Sequence, residues 1–173
     1  MAYTQRMAFI AIPEESKKSI NRAGQTLLRG QFKTEEYAIA RDLADRWRAC
    51  HAYPINTFQA TLRRNLRKFS GDPLVAQRLK RMPTIIDKLK RHPAMQLTTM
   101  QDIGGVRAVV SSVSDVYKLA AEYRDKSRFK HELVKENDYI KGPRSDDGYR
   151  SLHLIYRYKN SAAPGYDGLL TGP

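Results

Sequence analysis

A chain of 173 residues has room for one compact α/β domain and is too short for two domains of ordinary size. An apolar share of 41% excludes a disordered protein, and no apolar run is long enough to cross a bilayer. The net charge of +13 indicates polyanionic partners, such as nucleotide phosphates or RNA, with a solvated basic face that binds nothing as the alternative. Residues 1–13 lack a signal peptide's cleavage site, so a cytoplasmic protein without a membrane partner is predicted.

The N-terminal part, residues 1–70, is predicted to be helical. After a weaker helical segment at 13–29, Thr34 is a suitable N-cap for a helix that continues to Cys50 with apolar residues at three- and four-residue spacing. Cys50 is the only cysteine and is predicted to be a buried thiol rather than a nucleophile. Pro54 separates this helix from the next, which carries Phe58, Leu62 and Leu66 on one stripe. A turn signal at 70–73 marks the boundary.

The core, residues 71–173, alternates predicted strands and helices. A short strand at 74–79 precedes a helix with Pro83 in its first turn, and a buried Val-rich strand is predicted at 103–110. An amphipathic helix at 113–123 follows, then strands at 131–140 and 149–158 around a polar loop at 141–148. This alternation predicts an α/β sheet with helices packed on it.

A dense group of basic residues is the first candidate site. Residues 63–91 contain ten Lys and Arg and only two acids, and such crowding favours phosphates lying among the charges. Arg78 and Lys80 would point to one face of a strand, and Lys88 on the following helix could lie near them. The three would form a cradle for the phosphates of one ligand. A solvated basic surface is the alternative.

The second candidate site is the segment 101–107, Gln-Asp-Ile-Gly-Gly-Val-Arg. A carboxylate at a strand edge, Asp102, lies next to two glycines and near Arg107. This combination suits Mg²⁺ bound together with nucleotide phosphates, because Mg²⁺ takes one or two protein carboxylates plus phosphate oxygens. The alternative is an Asp that caps a turn, with Arg107 as its salt-bridge partner.

The third candidate site is the segment 138–153. Gly148 before Tyr149 would let a loop approach a ligand closely at the start of a strand. Tyr149 could stack on a base, and Arg150 and His153 could contact phosphate or ribose. A β-hairpin with an ordinary core tyrosine is the alternative.

In this order, the three segments resemble those of RelA/SpoT synthetases. The segment from Asp138-Tyr-Ile to Gly-Tyr-Arg-Ser-Leu-His153 resembles their guanine-binding loop, residues 101–107 resemble their metal-binding strand, and residues 78–89 resemble their ATP-phosphate segment. The resemblance covers about residues 74–170. It implies a nucleotidyltransferase-like α/β fold, a mixed sheet flanked by helices with a helical N-terminal part.

The resemblance also implies a reaction, in which a ribose 3′-hydroxyl attacks the β-phosphorus of ATP and AMP leaves. Its catalytic residues would be Asp102 as ligand of Mg²⁺, Tyr149 stacked on the acceptor base, and His153 near the acceptor's phosphates. The resemblance also implies six basic residues that bind nucleotide. Arg78 and Arg107 would stack on adenine, and Lys80 and Lys88 would hold the ATP phosphates. Arg144 and Arg150 complete the set.

The acceptor stays open between GDP or GTP, giving (p)ppGpp, and the 3′ end of tRNA. This chain resembles a group of toxic single-domain family members in its layout, and some of those act on tRNA; an antitoxin protein would then be a partner. In the family, a glutamate follows the segment that residues 166–170 resemble, whereas this chain reads Thr171-Gly-Pro173 there. A shortened chain or a split or inactive product would explain the departure, and a non-catalytic nucleotide- or RNA-binding regulator is the rival function.

Overall fold

The computed structural model describes residues 9–69, 73–145 and 147–172. Of the turn predicted at 70–73, only Pro73 is among them, so the boundary predicted between residues 70 and 71 lies outside the described residues. The helices are α1 (Lys17–Arg29), α2 (Glu35–Cys50), α3 (Ala52–Leu66), α4 (Met82–Arg91) and α5 (Val113–Arg124). The strands are β1 (Leu74–Leu79), β2 (Gly104–Val109), β3 (Glu132–Asp138), β4 (Leu152–Arg157) and β5 (Leu170–Thr171), with short 3₁₀ turns at Leu97–Thr99 and Pro164–Tyr166.

The N-terminal part is helical, as predicted. The Thr34 hydroxyl accepts the N–H of Tyr37 at 3.2 Å and caps α2. The break between α2 and α3 falls at His51 rather than at Pro54. Pro54 instead lies in the first turn of α3, where a missing backbone N–H removes no helical hydrogen bond.

The strands form two antiparallel groups, β1–β2 and β3–β4–β5. A parallel bridge between Gly105 and Gly172 joins the groups, with the Gly172 N–H donating to Gly104 at 3.0 Å and the Val106 N–H donating to Gly172 at 3.2 Å. The resulting order is β1-β2-β5-β4-β3. One parallel contact among antiparallel ones makes the sheet mixed, which confirms the predicted fold class.

Helices α3 and α5 pack on one face of this sheet. On the α3 side, a side chain at Gly104 would overlap Ile55, which explains a glycine there. On the α5 side, the hydroxyl of Tyr156 in β4 donates to the Tyr123 carbonyl at 2.8 Å. A continuous core extends from α1 and α2 through Ile85 and Ile103 to Tyr156. None of the helices in the described ranges has the length and apolar character needed to span a membrane.

Two predictions about strands need correction. The strand predicted at 149–158 begins only at Leu152, so Tyr149 and Arg150 lie in the loop before it. The strand predicted as buried at 103–110 is buried at Gly104 and Gly105, but Val109 is 54% exposed. Side chains alternate along β2, so Val109 lies on the face opposite α3, where it pairs with the exposed Leu74 and no helix in the described ranges covers it.

Candidate functional site

Three charged side chains from three separate elements meet at one end of β1 and β2. The Lys80 Nζ donates to Asp102 Oδ2 at 2.9 Å, and the Lys88 Nζ donates to Asp102 Oδ1 at 2.7 Å. Lys80 directly follows β1 and its N–H donates to the Ile103 carbonyl at 2.7 Å, whereas Lys88 extends from the last turn of α4. Asp102 lies in the turn before β2. We refer to Lys80, Lys88 and Asp102 as the charged cluster.

Asp102 is held in its ionised form. Burial alone would raise the pKa of this carboxyl, but the hydrogen bonds from Lys88 and Lys80 outweigh burial and hold the pKa below its usual value. The salt-bridge partners of Asp102 are therefore the two lysines, and the alternative that paired it with Arg107 is wrong. Lys80 is only 8% exposed, so its ammonium group depends on this partner.

The donor set of the charged cluster contains one carboxylate. Within the described ranges there is no group of three or more His, Cys, Asp or Glu side chains that could hold a metal ion. One carboxylate fits a Mg²⁺ ion that arrives with nucleotide phosphates, which supply the other oxygen ligands. It does not fit a permanently bound metal ion. The assignment of Mg²⁺ to Asp102 stays a prediction.

Arg78 and Arg107 lie on the same face of the β1–β2 pair. Arg78 pairs with Gly105 and Arg107 pairs with Ala76, so the two arginines are diagonal neighbours on adjacent strands. Diagonal positions are about 7 Å apart, which is roughly the spacing of two planes with an aromatic ring stacked between them. Both residues are exposed. This geometry is compatible with adenine stacked between the two arginines, and that role stays a prediction.

A second group lies in and beside the loop before β4. The Tyr149 hydroxyl and His153 Nε2 are 2.9 Å apart, and Tyr139 contacts both rings edge-on, at centroid distances of 5.9 and 5.1 Å. Gly148, with φ of +64°, adopts the left-handed conformation that glycine allows. The backbone carbonyl of Arg144 accepts the Gly148 N–H at 2.9 Å. We refer to Tyr139, Tyr149 and His153 as the aromatic group.

His153 links the aromatic group to the sheet. Burial lowers the pKa of its imidazole, and the positive charges of Arg107 and Arg144 lower the pKa further. A neutral imidazole can accept a hydrogen bond from the Tyr149 hydroxyl. Arg150 is exposed, and together with Arg107 and Tyr149 it lines a cleft of about 560 Å³ between β2, α5 and β4.

The basic residues at 63–91 do not form one cradle. Lys80 and Lys88 converge on Asp102, while Arg91 pairs with Asp87 on the surface of α4 at 2.9 Å. The arginines at 63, 64 and 67 lie at and just beyond the C-terminal end of α3, far along that helix from Ile55, which packs against Gly104 near the charged cluster. They form a separate surface.

Two residues that sequence reasoning did not single out support the site. Tyr139 lies inside the quoted Asp138-Tyr-Ile segment, and its aromatic ring next to a loop was an available signal. The guanidinium Nε of Arg48 donates to the Lys80 carbonyl at 2.7 Å and fixes the backbone after β1. Nothing in the sequence pattern of α2 indicates that contact. Cys50 is buried, as predicted, and burial raises the pKa of its thiol to about 12, which excludes a thiolate nucleophile near neutral pH.

The chain is similar to proteins of known activity. Residues 77–165, which are 89 of the 173, match the family model described as "Region found in RelA / SpoT proteins". GTP pyrophosphokinase YwaC of Bacillus subtilis is 37% identical over 84 residues, which cover 45% of this chain and 38% of that protein. The chain thus spans well under half the length of this relative.

Solved structures agree on the fold. Small alarmone synthetase 1 from Bacillus subtilis matches with a TM-score of 0.59 at 25% identity, over 70% of this chain and 64% of that one. A structure of small alarmone synthetase 1 from the same organism, bound to its product pppGpp, matches with a TM-score of 0.60 at 24% identity, over 74% and 69% of the two chains. With the family model matching more than half of its residues, this chain belongs to the RelA/SpoT family.

Proposed function

We propose that this protein transfers pyrophosphate from ATP to the ribose 3′-hydroxyl of GDP or GTP. The observation that carries the proposal is the charged cluster, in which two lysines from different elements are held within 2.9 Å of one carboxylate at the end of β1 and β2. A polyphosphate is the ligand that such a pair of ammonium groups suits best. The exposed Arg78 lies two residues before Lys80, and the exposed Arg107 is its diagonal neighbour on β2, so the two arginines would offer a surface for a planar base beside the cluster.

In this reaction the lysines and the carboxylate of the charged cluster would release one another and bind the substrate and its metal ion. Lys80 and Lys88 would turn from Asp102 to the ATP phosphates, and Asp102 would then bind Mg²⁺. When bound with the phosphates, Mg²⁺ supplies neutralisation of the charge that develops on their oxygens. The 3′-oxygen forms a bond to the β-phosphorus, the bond from that phosphorus to the bridging oxygen breaks so that this oxygen leaves with AMP, and the hydroxyl proton is released to solvent. Positioning and charge neutralisation supply most of the rate enhancement in such a transfer.

The acceptor would bind at the aromatic group. The Tyr149 ring is partly buried and held by the hydrogen bond between its hydroxyl and His153, so it offers a fixed surface for base stacking. Arg144 and Arg150 would contact the phosphates of the acceptor. A guanosine nucleotide is favoured because the matched relative is named a GTP pyrophosphokinase and a matched structure holds pppGpp.

Label transfer tests the proposal. Incubation with γ-labelled ATP and Mg²⁺, in separate reactions with GDP, GTP and tRNA, should move the label to the guanosine nucleotide and release AMP in equal amount. Omission of Mg²⁺ and the variant Asp102→Asn serve as controls. If ATP binds but no acceptor gains label, the rival function, a non-catalytic nucleotide-binding regulator, is supported instead.

A tRNA acceptor is the second candidate, and one observation favours it. Arg63, Arg64 and Arg67 are exposed, and none of them forms an ion pair with any residue in the described ranges. An uncompensated arginine surface distant from the charged cluster suits the backbone of a larger polyanion. A toxin with an antitoxin partner would belong to this candidate.

Salt dependence distinguishes the two acceptors. Each phosphate contact releases counterions, so tRNA affinity should fall steeply with salt. Replacing Arg63, Arg64 and Arg67 together with Gln should weaken tRNA binding and flatten the log–log salt slope, while ATP binding is unchanged. Replacing three exposed lysines elsewhere with Gln, at Lys33, Lys90 and Lys135, gives a control with the same net charge. Equal slopes in both triple variants would leave the guanosine nucleotide as the better acceptor.

A further inference from the structure

The carboxylate of Asp138 lies between α5 and the aromatic group but belongs to neither the charged cluster nor the aromatic group. Asp138 is the last residue of β3 and pairs with Leu152, the first residue of β4. The next residue, Tyr139, belongs to the aromatic group, and its N–H donates to the Ser151 carbonyl at 2.8 Å. The chain therefore leaves the sheet at the point where the proposed acceptor surface begins.

One oxygen of this carboxylate fixes the turn that follows β3. Asp138 Oδ1 accepts the N–H groups of Ile140 and Lys141, both at 3.0 Å. The backbone carbonyl of Asp138 accepts the Gly142 N–H at 3.3 Å. A carboxylate that accepts backbone N–H groups two and three residues later closes a turn of defined shape. Tyr139 lies inside this turn, so Asp138 sets the direction of its backbone.

The other oxygen connects the turn to α5. The Tyr117 hydroxyl donates to Asp138 Oδ2 at 3.0 Å and lies 3.3 Å from Oδ1. The Lys141 Nζ lies 4.0 Å from Oδ2 and 5.5 Å from the centre of the Tyr117 ring, but the lysine side chain is 79% exposed. An exposed ion pair of that length contributes little to the free energy of folding. Tyr117 is therefore the contact that holds the turn against a helix.

The Asp138 carboxylate is fully engaged by these groups. An ionised carboxylate offers about four lone-pair positions. Two of them accept backbone N–H groups, and the others face the Tyr117 hydroxyl and the Lys141 ammonium group. The hydrogen bonds from the Lys141 N–H, the Tyr117 hydroxyl and the Ile140 N–H outweigh burial and hold the pKa of Asp138 below its usual value. Asp138 is therefore suited to hold the residues around it rather than to bind a nucleotide.

The aromatic group depends on where Tyr139 lies. Its ring contacts the Tyr149 ring edge-on at a centroid distance of 5.9 Å and the His153 ring at 5.1 Å. The ring of Tyr149 is the one that would stack on the acceptor base, and an edge-on neighbour limits how far that ring can tilt. A turn that is fixed at Asp138 therefore fixes one side of the acceptor surface.

We propose that Tyr117 and Asp138 are positioning residues for the acceptor nucleotide and act on it through Tyr139. Tyr117 holds the Asp138 carboxylate against α5, Asp138 holds the turn after β3, and the turn holds the Tyr139 ring against Tyr149. The inference rests on the proposed function, because that function assigns the acceptor to the aromatic group. Helix α5 thereby sets the affinity for the acceptor without contacting it.

Two tyrosine-to-phenylalanine variants of the full chain test the proposal. Tyr117→Phe removes the hydroxyl that holds Asp138, whereas the control Tyr156→Phe removes a hydroxyl that connects β4 to the Tyr123 carbonyl near the other end of α5 at 2.8 Å. Initial rates of AMP release are measured with GDP or GTP varied, and then with ATP varied. Tyr117→Phe should raise the KM for the acceptor roughly threefold to tenfold, with kcat and the KM for ATP unchanged. Tyr156→Phe should change none of the three. An equal acceptor KM in both variants overturns the proposal.

A double-mutant cycle tests whether Tyr117 acts through Asp138. Asp138→Ala removes the acceptor of the hydroxyl and of both turn N–H groups, so its effect on the acceptor KM should be the larger one. Once Asp138 is alanine, the added change Tyr117→Phe should leave the acceptor KM the same within roughly twofold, because the two residues share one interaction. Effects that multiply in the double variant contradict the proposal, since they would show that Tyr117 acts by another route.

Hydrogen exchange in the free protein decides the point if Asp138→Ala does not fold, and it separates this inference from the proposed function. The amides of Ile140 and Lys141 should exchange at least roughly threefold faster in Tyr117→Phe than in the parent, and at the parent's rate in Tyr156→Phe. A parent protein that transfers no label to GDP or GTP contradicts the proposed function. A parent that does transfer label, with exchange and acceptor KM unchanged in Tyr117→Phe, overturns the inference alone.

Discussion

The charged cluster and the aromatic group are built in different ways. The cluster joins residues that are 14 and 22 positions apart, drawn from the end of β1, from α4 and from the turn before β2. The aromatic group is local, with Tyr149 and His153 four positions apart on one loop and strand. Long-range charges on a rigid scaffold suit a ligand fixed by its phosphates, whereas a local aromatic surface suits a ligand recognised by its base.

The two regions also differ in how they respond to substitution. In the charged cluster both lysines pair with one carboxylate, so loss of Asp102 leaves two ammonium groups without their partner. In the aromatic group the contacts are between partly exposed rings, and removal of one ring leaves no buried charge behind. Substitutions in the cluster should therefore have larger effects than those around the aromatic group.

The largest effect is expected for Asp102→Asn. The change keeps the side chain's shape but removes the charge that pairs with Lys80 and Lys88, and that would attract Mg²⁺. We expect transfer activity to fall at least a hundredfold while the protein stays folded, with a stability loss of about 2 kcal/mol. Activity assays and denaturant unfolding measure the two quantities. Asp87→Asn, in the exposed pair with Arg91, is the matched control and should change neither. Unfolding of Asp102→Asn without denaturant would make Asp102 a structural residue.

A smaller effect is expected for the arginine pair. Arg78→Ala and Arg107→Ala each remove one of two guanidinium planes, and a stacked guanidinium contributes on the order of 1 kcal/mol. Each variant should bind a non-hydrolysable ATP analogue roughly fivefold more weakly in the presence of Mg²⁺. Calorimetry measures the affinity for the analogue, with Lys135→Ala as a surface control. Affinity equal to that of the parent protein in both variants would refute adenine stacking here.

The smallest effect concerns pH and the aromatic group. The pKa of His153 is lowered, so the imidazole is neutral at pH 7 and gains a proton only below its ordinary value of about 6.5. That proton adds positive charge beside the acceptor's phosphates, whereas Asp102, whose pKa is also lowered, stays ionised. From about pH 7.5 to 5.5, the ratio of GTP to ATP-analogue affinity should rise roughly two- to threefold. In His153→Gln the ratio should stay constant. A ratio that changes equally in the variant assigns the effect to other groups.

Much of the fold follows from local pattern. The bounds of α2 and β1 agree with the sequence prediction because Thr34 caps a clear periodic helix and residues 74–79 form a short extended run between Pro73 and Pro83. The predicted start of β4, at residue 149, is three residues too early. An aromatic after glycine is typical of a strand start, and only the turn from Arg144 to Tyr149 shows that the loop extends further.

The candidate site was predictable residue by residue but not in its pairing. The sequence predicts Lys80 and Lys88 as part of one phosphate cradle and Asp102 as a separate metal ligand, and neither prediction indicates that both lysines contact the same carboxylate. The competing interpretation gave Asp102 to Arg107, five residues away, because sequence reasoning favours near neighbours. Pairing across 14 and 22 residues depends on how α4 packs beside β2, which only the folded structure shows.

The central claim is that the two regions bind two different nucleotides, and calorimetry on two variants tests it most directly. Lys88→Met removes one phosphate contact of about 1.5–3 kcal/mol, and Tyr149→Ala removes a stacking surface of about 1–3 kcal/mol. An ATP analogue with Mg²⁺ and GTP are each titrated into the parent, both variants and the control Lys90→Met. We predict a crossed pattern, in which Lys88→Met loses at least tenfold in ATP-analogue affinity and keeps GTP, while Tyr149→Ala loses GTP and keeps the analogue. The claim is contradicted if one variant loses affinity for both nucleotides while the other variant keeps both affinities. That result would indicate a single shared site.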